Sequence, residues 1–122
     1  MGIRWFLLFF AFLFVGCGDV EDTRPGRPVA RRQAAFREML QRFEPMGIQL
    51  REGTYTADVF RRQAEALANM KAVPWDHFGP DTQYPPSKSD DRLWREPDIF
   101  AAEREEFMRA AESLRLAAQD AP

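Results

Sequence analysis

The sequence holds very little of what most catalytic and metal-binding sites need. Its 122 residues contain one cysteine and one histidine. One cysteine excludes an internal disulfide and a cysteine zinc cluster. His77 is the lone histidine and lies among prolines, where a solvent-facing side chain is the plain reading. No Ser-His-Asp or Cys-His arrangement can be built around it, and no Gly-rich phosphate cradle is present. Asp90-Asp91 and the Glu103, Glu105, Glu106 group read as solvated faces rather than carboxylate pairs for acid–base work. No catalytic residue and no metal ligand is therefore expected, and the chain does not read as an enzyme. Charge of one sign is also lacking. A formal charge of −2 gives no reason to expect nucleic acid, or an acidic membrane, as a main partner. The basic residues near Arg31 lack interleaved exposed aromatics.

The chain has no apolar run of the roughly twenty residues that a transmembrane helix requires. A shorter one opens it. Trp5 to Val15 is unbroken and apolar behind the positive start Met1 to Arg4, which suits a secretory signal. Gly16-Cys17 follows, a small residue directly before a cysteine, as at a bacterial lipoprotein cleavage site. Residues 1–17 are read as a signal peptide with Cys17 as a lipidation position. A plain secretory signal with an incidental cysteine is the other reading. Two acyl chains on Cys17 would anchor the protein to inner- or outer-membrane lipid. Gly18 to Pro28 is polar, contains Pro and Gly, and reads as a flexible tether.

Alternation of the strand type is absent, and what remains is helical periodicity. A first helix is expected from Val29 to Arg51, with Phe36, Leu40, Phe43, Met46, Gly47 and Leu50 on one face. Pro45 inside it has no N–H for the Gln41 carbonyl and predicts a kink or break. Gly53 ends that helix. A second is expected from Thr56 to Ala72, with Thr56 as N-cap and Phe60, Ala64, Leu67, Ala68 and Lys71 on one face. Pro74, Pro80, Pro85, Pro86 and Pro97 forbid a long helix over Val73 to Glu96, which reads as an extended crossover anchored by Trp75, Phe78, Tyr84, Leu93 and Trp94. A third helix is expected from Pro97 to Gln119, burying Phe100, Phe107, Ala111, Leu114 and Ala118. The fold class is all-α, with residues 29–122 forming a small bundle. The crossover aromatics and Phe36 are either ordinary core or the wall of a flat apolar cofactor slot between helices.

Three blocks carry a resemblance. They are Arg32-Gln33-Ala34-Ala35-Phe36 with Met39, Phe43 and Met46; Pro74-Trp75-Asp76-His77-Phe78-Gly79-Pro80-Asp81-Thr82; and Leu93-Trp94 with Phe100. In this order the chain resembles the cytochrome c′ family, the class II c-type cytochromes, over about Arg31 to Gln119. The resemblance implies an antiparallel four-helix bundle, of which these residues supply three helices. It implies an exported, periplasmic haem protein for electron transfer or for binding a small gas such as nitric oxide, often as a homodimer. It implies that Arg32 and Gln33 lie near the haem propionates and that Phe36 covers the open face of the iron. Met39 is the alternative ligand if the register differs, and Trp75 and Phe78 pack near the haem edge. The family's Cys-x-x-Cys-His segment, which attaches haem c and supplies the proximal ligand, has no counterpart in these residues. Covalent attachment is not possible on the residues as written. Three explanations stand: a partial cytochrome, a haem-free tethered module that binds another protein, or a non-covalent haem binder. A redox partner or a gas ligand is expected only if haem is present.

Overall fold

The computed structural model describes residues 20–122. The apolar run and Cys17 lie outside the described residues. Helix α1 spans Pro28–Glu52, α2 Ala57–Asn69, the four-residue α3 Arg92–Arg95, and α4 Pro97–Asp120, with a 3-10 turn at Val73–His77. No strand occurs among the described residues. Both proline starts behave as expected, since Pro28 and Pro97 occupy first-turn positions where the missing N–H costs nothing. Gly53 takes a left-handed φ of 69° and returns its N–H to the Gln49 carbonyl, closing α1.

Pro45 does not break α1, which continues through it to Glu52. The helix is long enough, and packed well enough on the α2 side of Met46, to survive one missing bond. Helix α2 ends at Asn69, three residues before the expected Ala72. Thr56 stands at its N-cap in extended conformation, but its hydroxyl makes no capping bond.

The segment read as a free tether is partly fastened. Asp22 is buried and accepts from the Ala30 N–H at 3.1 Å, the Arg24 N–H at 3.1 Å and the Tyr84 hydroxyl at 2.8 Å. It therefore caps the first turn of α1 from outside the helix, where Arg27 itself provides no side-chain cap. Burial pushes the Asp22 carboxyl up, but the Ala30, Tyr84 and Arg24 donors outweigh it and hold the group below its ordinary value.

Helix α2 packs against both α1 and α4. Two small apolar clusters join them. One gathers Met39, Leu67 and Met70 with Phe107 and Leu114 against it, and the other gathers Met46, Ala64 and Ala118 with Phe60 and Leu114. Ala64 and Ala118 are almost fully buried, and their small side chains let the helices approach closely.

The buried stripe of α1 is not the expected one. It runs Val29, Arg32, Ala35, Met39, Met46, Gln49. Of the stripe read from the sequence only Met46 is buried, whereas Phe36 is 39% exposed, Leu40 60% and Phe43 53%. The helix is turned by about one residue, so that small and unbranched side chains meet α2 and the largest apolar ones are left beside it.

Candidate functional site: an apolar groove walled by aromatics

Those outlying side chains line a groove. Phe36, Leu40 and Phe43 from α1 form one wall, and Phe107, Ala110 and Leu114 from α4 form the other. Leu67 of α2 and Met39 lie at its base, and Trp75 of the crossover closes one end. Its volume is about 410 Å³. Nothing on the walls is charged. Apolar side chains of this size, gathered beside a bundle and left open, mark a surface built to be covered.

The crossover end of the groove is an aromatic cluster. The Trp75 ring meets Phe36 edge-on at 5.6 Å between centroids, Phe107 at 5.6 Å and Phe100 at 6.1 Å. Phe78 lies 6.2 Å from both Phe36 and Trp75, and 5.2 Å from Phe100. The Trp75 indole N–H donates to the Lys71 carbonyl at 2.6 Å, which fixes the ring to the end of α2. Phe36, Trp75 and Phe78, expected near one another from the sequence, are thus brought together, and Met39 stands below them in the core.

Arg32 and Gln33 are placed elsewhere. Arg32 is only 2% exposed, and its guanidinium points into the crossover. One terminal nitrogen donates to the His77 carbonyl at 3.0 Å and the Thr82 hydroxyl at 2.9 Å. The other donates to the Thr82 carbonyl at 2.8 Å and the Ser87 hydroxyl at 2.7 Å. The cation also lies 4.7 Å from the centroid of Phe78 and 5.6 Å from that of Trp94. Burial lowers its pKa, with Tyr84 and Asp22 pulling the other way. Gln33 donates to the Pro86 carbonyl at 3.0 Å. Both side chains therefore bind the crossover to α1 rather than facing the groove. The family resemblance implies a place for Arg32 near the haem propionates; here its two terminal nitrogens are bonded to two carbonyls and two hydroxyls of the crossover.

Thr82 and Ser87 were missed as partners, and nothing in the sequence near them signals the role. Leu67, Ala111 and Leu114 were read as core, although they also line the groove. His77 offers its main-chain carbonyl to Arg32, and its imidazole is half-buried.

The groove suits the apolar body of a porphyrin, which is flat and wants apolar walls. The chemistry of the donor set is less complete. Among the described residues no three His, Cys, Asp or Glu side chains come together to hold a metal ion, and the 122 residues contain no Cys-x-x-Cys-His segment. The residues present fit the rim and floor of a haem site, and the Cys-x-x-Cys-His segment that attaches haem c is not among them.

Fold and groove together define a helical bundle with an apolar slot of cofactor type between α1 and α4. The family model described as Cytochrome C′ matches residues 27–122, and the chain belongs to that family. Among solved structures it is similar to cytochrome c prime from Shewanella frigidimarina, with a TM-score of 0.77 and 24% identity over 82% of this chain and 79% of that one. It is also similar to a ferrous variant of cytochrome c prime from Alcaligenes xylosoxidans, with a TM-score of 0.71 and 27% identity over 81% of this chain and 77% of that one. The search of curated proteins found no match.

Proposed function

We propose that the groove between α1 and α4 is the seat of a haem and that the protein is an exported carrier of electrons or of a small gas such as nitric oxide. The observation that carries this reading is the outward placement of Phe36, Leu40 and Phe43, three large apolar side chains that the bundle itself leaves open. Haem would supply a redox-active iron with a coordination position open to a ligand. The chain would supply the rest. Phe36, Leu40 and Phe43 exclude water from one side, Phe107 and Leu114 from the other, and Trp75 limits how far a flat group can slide toward the crossover. Family membership supports haem over a haem-free interaction module.

The test is a haem titration of the 122-residue chain and of two variants. Leu40→Asp puts a carboxylate on the groove wall, and Leu116→Asp puts one at an exposed position of α4 outside the groove lining. The reading predicts a Soret shift and quenching of tryptophan fluorescence for the wild type and for Leu116→Asp. Leu40→Asp is expected to weaken uptake at least about ten-fold, the effect of one buried unpaired carboxylate. Equal uptake by the two variants would contradict it.

A further inference from the structure

The near-neutral charge of the whole chain hides a strong asymmetry along it. Residues 20–42 carry six arginines against three carboxylates, whereas α4 carries three arginines against six. Most charged side chains of α4 and the crossover form ion pairs, as in Arg95–Asp91, Arg109–Glu106 and Arg115–Glu112. At the N-terminal end of α1 the pattern differs. Arg27, Arg37 and Lys88 line one hollow of about 490 Å³, and Arg31 is exposed on the adjoining turn. None of these four cations forms an ion pair among the described residues. Two carboxylates adjoin the hollow. Asp22 faces inward and is held by the Ala30 and Arg24 amides and the Tyr84 hydroxyl, which leaves exposed Glu21 as the one carboxylate turned to solvent.

We infer that this basic end of the bundle is a contact surface for anionic phospholipid headgroups. Two further observations select a membrane over an acidic protein. Val20, where the described chain begins, lines the same hollow, so the chain enters the domain through the basic patch. Cys17, read from the sequence as a lipidation position, stands three residues before Val20. An extended chain covers at most about 3.5 Å per residue, so acyl chains on Cys17 would hold the patch within about 15 Å of the bilayer. Fastening of the entering segment by Asp22 removes the slack that a longer tether would give. A lysine or arginine held near an anionic surface strengthens binding by roughly five-fold at low salt, and the effect fades within a Debye length.

The test compares the full chain with a variant carrying Arg27→Asn, Arg31→Gln, Arg37→Gln and Lys88→Gln. Each is assayed by flotation with vesicles of phosphatidylcholine alone and with one-third phosphatidylglycerol. Asparagine suits Arg27 because that residue holds a left-handed φ of 47°. The N-terminal segment, Arg4 included, is the same in both proteins, so the difference between their ratios isolates the patch. We expect a ratio of at least about twenty for the wild type at low salt, at least about ten-fold lower for the variant, and close to one for the wild type at about 0.5 M salt, where the Debye length shrinks to roughly 4 Å. The salt arm needs no variant and keeps the inference open to refutation if the variant folds poorly. A wild-type ratio near one overturns it and leaves an acidic protein surface as the partner of the patch. A ratio that survives both salt and substitution overturns it as well.

Discussion

Removing the Arg32 guanidinium tests whether the crossover is held by one residue. Arg32→Met keeps an unbranched apolar stem and deletes every donor. Four acceptors then lose the guanidinium donor, two of them main-chain carbonyls at His77 and Thr82 and two of them hydroxyls at Thr82 and Ser87. A hydrogen bond to a charged donor contributes about 1.5–3 kcal/mol, so the four sum to roughly 6–12 kcal/mol. Against this stands the cost of burying a cation with no carboxylate bonded to it, of the order of several kcal/mol. The difference is about 3 kcal/mol. For a domain of this size each kcal/mol moves Tm by about 4–8 °C, so the loss is roughly 12–24 °C. Arg32→Lys offers three donors from one point and no planar face to Phe78, and it falls between the two. Urea unfolding followed by fluorescence reads the effect directly, because Trp75 and Trp94 both belong to the crossover. A variant within about 0.5 kcal/mol of the wild type would refute the reasoning, because effects that small are typical of unpinned surface positions.

Two other outcomes follow from the packing and the charges. Met39→Ala, at a position 6% exposed between Leu67 and Met70, is expected to cost about 2–5 kcal/mol in urea unfolding; a cost under about 1 kcal/mol would mean that α1 and α2 are not joined there. The Glu112 carboxyl is held down to about 2 by Arg115 first and by Lys71 second. A carboxyl with a depressed native pKa stabilises the fold above its unfolded value of 4.5 and loses that contribution as pH falls toward 2. The wild type should therefore be more stable than Glu112→Gln at neutral pH, with the gap closing under acid. A gap that stays constant from neutral pH down to the acid end of that window would contradict the assignment.

The helices were legible because their signals are local. Pro28 and Pro97 start them, Gly53 stops one, and the prolines of the crossover exclude a long helix between Asn69 and Arg92. Which side of α1 faces inward was not legible. Phe36, Leu40 and Phe43 form the most apolar stripe, and the expectation that the most apolar stripe is the buried one holds when the described elements are the whole core. Here two adjacent stripes serve two purposes. Ala35, Met39 and Met46 meet α2, while the larger residues wall the groove. The crossover partners of Arg32 were not legible for a related reason, because they lie 45 to 55 residues away and are main-chain carbonyls and hydroxyls that carry no sequence signature. The aromatic cluster was readable as Phe36 with Trp75 and Phe78, and the family resemblance located it. Asp22 shows the same limit on a smaller scale. A polar stretch containing Pro and Gly reads as a tether, and the long-range bond to Tyr84 that fastens it is invisible in composition.

The central claim is that the open apolar groove is the seat of a haem, and the intact mass of the native protein from its own cells tests it most directly. The claim predicts one haem increment per chain in the native mass. A native mass without haem would contradict it.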